Sequence, residues 1–297
     1  MKCDLCPRKC LVDRKKGEKG ICGQTENLKV ARAALHFWEE PCISGDAGSG
    51  AVFFSGCPLH CVFCQNENIA NGTVGKEISL ERLVDIFLEL QEKRANNINL
   101  VTPGHFVPQI VKALDQARKE GLTLPVVYNT SSYETVDTIK MLEGYVDIYL
   151  PDFKYMSPVL SKKYSHAPDY AEVAKAAIAE MVRQTGKAVF VNGDEDNLIL
   201  SGTIVRHLTL PGCMADSMQI LKYLHDTYGD KIYISIMNQF TPLSNLEKYP
   251  ELNRRITDEE YETLVDYAID IGIENGFIQE GDIAEESFIP AFDCEGV

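Results

Sequence analysis

The chain has 297 residues, 45% hydrophobic and 25% charged, with a formal net charge of −15. That length can bury one sizeable core, and the negative balance argues against a phosphate-backbone ligand, so no nucleic acid is expected. No apolar run is long enough to cross a membrane, and Met1-Lys2-Cys3-Asp4 opens no signal peptide, so a cytoplasmic protein with no membrane partner is expected.

The amino-terminal residues hold Cys3-Asp-Leu-Cys6-Pro-Arg-Lys-Cys10 and then Gly20-Ile-Cys22. Ten cysteines in such a chain argue for metal binding rather than disulfides. A segment this poor in apolar residues would gain folding energy from a metal. Four thiolates suit zinc or a second, fully ligated iron-sulfur cluster; four free thiols are the plain alternative. Residues 1–32 carry nine Lys/Arg against four Asp/Glu, a balance of +5, which leaves −20 for the rest. Such a segment docks on its own acidic body or offers a surface to a partner.

Residues 26–50 form a linker, with a strand and turn between Leu28 and Trp38 and an ordered loop through Glu39-Glu40-Pro41-Cys42. From residue 51 short apolar runs alternate with amphipathic helices. Strands are expected at 51–55, 98–102, 125–129, 146–150, 204–210 and 232–236. Ser79 caps the first helix, with apolar residues at Leu80, Leu83, Val84 and Phe87. Further helices carry stripes around Ile110–Ala117, Val136–Leu142, Tyr170–Met181 and Met218–Leu224. Residues 187–203 break the rhythm as an inserted hairpin about Asn192-Gly193. Thr257-Asp-Glu-Glu260 opens a last helix with a capping box. An acidic, partly apolar tail through Gly276–Glu280 and Ser287–Pro290 is expected to fold over the body. Strand–helix alternation implies a parallel sheet with helices outside, and six units fit an α/β fold of partial (β/α)6 TIM-type barrel. The reading divides the chain into a Cys-rich extension and linker (1–50), the barrel (51–256) and a C-terminal helix and tail (257–297).

Chemistry concentrates at Ser55-Gly56-Cys57-Pro58-Leu59-His60-Cys61-Val62-Phe63-Cys64-Gln65-Asn66. Three thiolates on one loop cannot close a tetrahedral site. They can hold three corners of a [4Fe-4S] cluster and leave one iron open. A chance group of thiols or half a zinc site is the alternative. Barrels of this kind place their sites at the C-terminal strand ends, here Thr102-Pro103-Gly104-His105, Asn129-Thr130-Ser131-Ser132, Pro151-Asp152-Phe153-Lys154, Pro211-Gly212-Cys213 and Met237-Asn238-Gln239. Asp152 and Lys154 can project to one side of a strand end or form a surface pair. Arg206, among apolar residues, needs a partner and is either a structural ion pair or a ligand contact. His105 is the best histidine candidate; His36, His60, His166 and His225 read as surface or packing residues.

The C-x3-C-x2-C spacing with Phe63 before its third cysteine resembles the radical S-adenosylmethionine (SAM) superfamily. The Cys3–Cys22 segment, Glu39-Glu40-Pro41, Phe53-Phe54-Ser55-Gly56-Cys57, Thr102-Pro103-Gly104-His105 and Met237-Asn238-Gln239-Phe240 look like uncharacterised members related to pyruvate formate-lyase-activating enzyme. The resemblance implies a [4Fe-4S] cluster on Cys57, Cys61 and Cys64, with SAM on the open iron. SAM would then be cleaved reductively to a 5′-deoxyadenosyl radical that takes a hydrogen from a substrate. It implies ferredoxin or flavodoxin as electron donor, and a glycyl-radical enzyme as a partner to be activated; a small molecule or a peptide is the other substrate class, and a non-catalytic electron-transfer or zinc scaffold the reading from another class. Phe63, Gly104, His105, Asn129, Asp152, Lys154, Arg206 and Gln239 become the candidate SAM contacts, with Cys3, Cys6, Cys10 and Cys22 a second metal site. Pro103-Gly104-His105 stands where activating enzymes carry Gly-Gly-Glu, so the SAM amine needs His105 or a backbone carbonyl.

Overall fold

A computed structural model of the chain describes residues 2–194, 197–242, 246–279 and 290–297. In chain order its elements are β1 (Leu28–His36), α1 (Pro41–Ser44), β2 (Ser49–Phe54), α2 (Glu67–Ala70), β3 (Lys76–Ile78), α3 (Leu80–Glu92), β4 (Ile98–Val101), α4 (Val107–Lys119), β5 (Val126–Thr130), α5 (Val136–Lys140), β6 (Ile148–Pro151), α6 (Pro158–Ser165), α7 (Tyr170–Thr185), β7 (Val189–Phe190), β8 (Ile199–Leu208), α8 (Met214–Tyr228), β9 (Tyr233–Met237), α9 (Asp258–Asp270) and β10 (Gly276–Ile278). The parallel strands run in the order β2-β4-β5-β6-β8-β9, and β10 adds one more beside β9. β1 and β3 extend the other edge antiparallel. The sheet is not closed, so this is a partial (β/α)6 barrel. No helix among the described residues is long and apolar enough to cross a membrane.

Alternating residues face opposite sides of each strand, and the core divides accordingly. Val52, Phe54, Leu100, Tyr128 and Tyr149 pack outward against α3, α4 and α7. Val127, Ile148, Leu150, Ile204 and Tyr233 face the other way. The expected caps form: the Ser79 hydroxyl accepts from the Arg82 amide, and Thr257 with Glu260 makes a reciprocal capping box. Of the stripe on α9, Tyr261, Leu264 and Ala268 are buried, while Ile269 is 65% exposed.

Three differences from the sequence reading have local causes. The hairpin at 187–203 exists, but its second arm is the start of β8: Val189 and Phe190 pair with Ser201 and Ile199, and the same strand continues to Leu208 in the parallel ladder with β9. One strand therefore serves two pairings, which a period count splits in two. Helix α6 is an eight-residue element with few apolar positions, so its period is weak; Ser157 caps it and Pro158 begins it. Of the acidic tail, residues 280 and 287–289 lie outside the described residues. Its last residues return along β1, where the Cys294 amide donates to Ala31, the Ala33 amide to Glu295, and Arg32 pairs with Asp293 and Glu295.

The segment between β1 and β2 is the plug of the barrel. Because β1 is antiparallel to β2, with His36 opposite Ser49, its end lies at the N-terminal ends of the parallel strands. Cys42 and Ile43 of α1 then pack among Val127, Ile148, Leu150, Ile204 and Tyr233. The Asn97 side chain donates to the Ile43 carbonyl at 2.8 Å and Asn96 to that of Ser44 at 2.6 Å. These bonds satisfy the carbonyls that so short a helix leaves unpaired.

Behind β5 sits a buried acid. Glu134 accepts from the Tyr128 hydroxyl at 2.8 Å, and its other oxygen has no partner. Burial pushes its carboxyl up to about 7 from an ordinary 4.5. Between those values the native state holds a proton that the unfolded chain releases, so this group makes stability fall as pH rises from about 4.5 to 7. Glu134→Gln should remove that fall and raise stability at pH 8 by roughly 1–3 kcal/mol, read as urea unfolding at pH 5 and pH 8; an unchanged pH slope would exclude Glu134 as its source.

Candidate functional site

The cysteine loop follows β2 directly. Gly56, at φ +91°, makes the turn, and a Cβ there would lie 2.5 Å from the Cys22 carbonyl oxygen, so only glycine lets the amino-terminal segment approach. That segment holds the loop from outside. Arg8 donates through Nε to the Pro58 carbonyl at 2.9 Å and through its Nη atoms to Leu59, Ser165 and His166, and it stacks over Tyr133. The His60 ring bonds to the Ile21 carbonyl at 2.8 Å. From inside, Phe63 packs edge-on to Tyr155, Tyr164 and Phe240.

Cys57, Cys61 and Cys64 line one cavity of about 520 Å³ at the C-terminal strand ends, together with Phe63, Asn129, Asp152, Lys154, Arg206 and Gln239. This is the range of sites that enclose one small ligand. At its centre is a chain of charges. Lys154 Nζ donates to Asp152 Oδ2 at 2.6 Å, and Arg206 Nε donates to Asp152 Oδ1 at 3.0 Å. Arg206 Nη1 donates to Glu39 Oε2 at 2.9 Å and Nη2 to Asn129 Oδ1 at 2.6 Å. Asn99 and Asn129 both donate to Glu39 Oε1. Burial would raise the Asp152 carboxyl, but Lys154 and Arg206 outweigh it and hold it below its usual range. Burial likewise opposes the Lys154 charge, which Asp152 and the neighbouring Cys61 restore. Asp152 and Lys154 are therefore not a surface pair: each side chain is 15% exposed.

The histidine expectation fails. His105 is 3% exposed and lies outside the cavity lining. Its Nε2–H donates to the Ser55 carbonyl at 2.7 Å, and its own carbonyl receives Arg14. Burial, with Arg14 nearby, lowers its pKa to about 3, so it is neutral. It braces the cysteine loop against the amino-terminal segment. Gly104 is also off the cavity, with the Glu134 carboxylate where a side chain would stand. At this strand end it is Thr102, at φ +55°, that reaches the lining. Gln239 reaches it as well, and its carbonyl fixes the Gln65 amide at 3.0 Å. His207, which the sequence reading passed over, is buried between the Phe153 carbonyl and the Ser217 hydroxyl. Glu39 is the main residue missed as a ligand candidate; two successive acids before a proline in a linker were its only signal.

The donor set of the loop suits an iron-sulfur cluster. Burial pushes the Cys61 thiol up to about 11 and Cys64 to about 12, and raises Cys57. Thiols held up in this way need a cation to give up their protons. The Ser165 hydroxyl donates to Cys61 Sγ at 3.0 Å and the Leu59 amide to Cys57 Sγ at 3.5 Å, the hydrogen bonds by which a protein tunes ligating sulfurs. Among the described residues, the four amino-terminal cysteines included, no three His, Cys, Asp or Glu side chains converge as a single-ion site would; a cubane spreads its ligands over separate irons. Cys3, Cys6, Cys10 and Cys22 are gathered in the amino-terminal segment, where Cys3, Cys10 and Cys22 each oppose ionisation of Cys6 and burial pushes its thiol up to about 12. The Ile21 amide donates to Cys10 Sγ at 3.3 Å.

Part of the chain matches a known family. Residues 51–197 match the Radical SAM superfamily. An uncharacterised protein of Methanocaldococcus jannaschii is 28% identical over 272 residues, covering 90% of this chain and 74% of that one. Among solved structures, HydG, a maturase of the [FeFe]-hydrogenase, aligns with TM-score 0.51 and 14% identity over 76% of this chain and 50% of its own. SuiB of Streptococcus suis, bound to its precursor peptide SuiA, aligns with TM-score 0.50 and 11% identity over 76% of this chain and 47% of its own. The chain spans about half the length of these two structures, and identities so low speak for the fold alone.

The Arg8 clamp yields a direct test. Its guanidinium serves four carbonyls on two segments that are distant in sequence. Arg8→Ala should cost about 1–3 kcal/mol by the usual worth of charged hydrogen bonds and speed amide exchange at His60 and Cys61. Exchange there at the parent rate would show that the loop is held without Arg8.

Proposed function

Residues 51–197 carry a radical SAM domain, and from that premise we propose that the chain is a radical SAM enzyme whose substrate is a glycine of a partner glycyl-radical enzyme. The family implies a [4Fe-4S] cluster and SAM. A cluster held by three cysteines, with one open iron, supplies one-electron reductive cleavage of SAM to a 5′-deoxyadenosyl radical that abstracts hydrogen. The remaining work belongs to the chain. Cys57, Cys61 and Cys64 would hold the cluster. Lys154, kept charged by Asp152, would take the SAM carboxylate. Phe63 and its aromatic neighbours would back the loop on its inner side.

The single observation that carries the reading is the meeting of the three cysteines with the Lys154–Asp152–Arg206 chain in one cavity. The macromolecular substrate is supported by Trp38, which lines the cavity and is 60% exposed. An exposed apolar group there suits docking of another chain. The basic amino-terminal segment, packed on the cysteine loop, suits a negatively charged one-electron donor such as a ferredoxin or flavodoxin.

Anaerobically reconstituted protein with dithionite should convert SAM to 5′-deoxyadenosine, and Cys57→Ala, Cys61→Ala or Cys64→Ala should abolish both cluster and product. Undiminished product from those variants would sink the enzyme reading. Electron paramagnetic resonance after incubation with candidate glycyl-radical enzymes decides the substrate: a protein radical on the partner supports activation, while none with any candidate points to a small molecule or peptide.

We further propose that Cys3, Cys6, Cys10 and Cys22 take a second metal centre. Metal analysis of the Cys57/Cys61/Cys64 triple-alanine protein tests this. Zinc near one per chain indicates a structural site and about four irons a second cluster; a folded sample with neither would leave four free thiols.

A further inference from the structure

Glu39 lies outside the matched residues 51–197, as does its partner Arg206, yet it lines the cavity with Asp152 and Lys154. It comes from the turn between β1 and α1, the segment that plugs the N-terminal end of the barrel. Its side chain is 8% exposed, against 14% for Arg206 and 15% for Asp152. Three N–H groups of the Arg206 fork go to three different elements: Nη1 to Glu39, Nη2 to Asn129 and Nε to Asp152. The guanidinium is planar and rigid, so fixing two of its donors fixes the third. Glu39 is itself held by the Asn99 and Asn129 amides, each at 3.1 Å. These contacts therefore transmit one orientation from Glu39 to Arg206 to Asp152 to Lys154, which is charge-coupled to Cys61.

We propose that Glu39 is a positioning residue of the SAM site, acting on Lys154 through Arg206 and Asp152; the inference rests on the radical SAM reading. Asp152 has two oxygens and shares them, Oδ1 to Arg206 and Oδ2 to Lys154. Nη2, the donor parallel to Nε, goes to Asn129, which Glu39 Oε1 holds in turn, so Arg206 gives only Nε to Asp152. Without the Glu39 charge to anchor Asn129, Nη2 turns to Asp152 and a two-pronged Arg206–Asp152 pair becomes the better arrangement. That pair competes for Oδ2 and releases Lys154 from its aim at the cysteine end of the cavity. The amino-terminal plug is then part of the ligand site and not only a stopper, and a barrel expressed from residue 51 would lack it.

The experiment is calorimetric binding of SAM to the anaerobic, cluster-loaded full chain, with iron content and thermal unfolding measured alongside. Glu39→Gln should weaken SAM about tenfold, and Lys154→Ala about ten- to hundredfold, the span of one charge-assisted contact. The double variant should bind no more weakly than Lys154→Ala alone, because Glu39 acts through the lysine. Glu39→Asp, which keeps the charge but is one methylene too short to reach both Arg206 and the asparagines, should show the same direction of loss and carries the test if Glu39→Gln does not fold. Parent-like affinity in both Glu39 variants would overturn the proposal. So would losses that multiply in the double variant, the mark of an independent or merely structural role. Unchanged affinity in Lys154→Ala would overturn the SAM-site assignment along with it, whereas a lysine effect with silent Glu39 variants removes this inference alone.

Discussion

A guanidinium inside a barrel is the constraint on which the site depends. Arg206 stands on β8 among apolar neighbours, and burial opposes its charge. An unpaired charge there would cost several kcal/mol. The fold answers with Asp152 from the next strand, Asn129 from β5 and Glu39 from the plug, so each of the three guanidinium nitrogens has a partner. Asp152 is then held ionised deep in the protein, and that in turn keeps Lys154 charged beside the cysteines. Glu40, next to Glu39, has no comparable set of donors; burial raises its carboxyl, and one of its oxygens is unpaired. Two adjacent glutamates thus differ in their pairing because only one reaches the arginine fork.

The second organising feature is the approach of the chain's beginning to the cysteine loop. Arg14 is 7% exposed and joins the Thr25 carbonyl to the His105 carbonyl, with its face on Phe106. Arg8 reaches the loop itself and the turn after α6. His105, neutral and bonded to Ser55, closes the gap between them. Positive charge that composition alone would assign to a surface is in part spent inward, on backbone carbonyls. Such contacts stiffen the loop that carries Cys57, Cys61 and Cys64.

Much of this was legible in the sequence. The strand–helix alternation, the parallel order, the Ser79 and Thr257 caps and the cysteine spacing are local patterns, written in periods of two and 3.6 and in a few cap residues. So was the placing of Asp152, Lys154, Asn129 and Gln239 at strand ends, because a parallel barrel fixes which end of each strand carries chemistry. Where a single strand serves two neighbours, as β8 does, the period alone divided it wrongly.

Which polar residues turn inward was decided by tertiary structure. His105 and Lys154 both follow strand ends, yet one braces a loop and the other enters the cavity. The difference lies in what each meets: a carbonyl and a buried arginine from the amino-terminal segment in one case, an ionised aspartate in the other. Glu39 sits 167 residues from Arg206 in the chain, and no local pattern ties a linker acid to a strand arginine. The sequence by itself determined the elements, their order and the spacing of the three loop cysteines, because those depend on near neighbours. The plug, and the charge network it completes, depend on desolvation and on long-range pairing, which exist only once the sheet has curved around them.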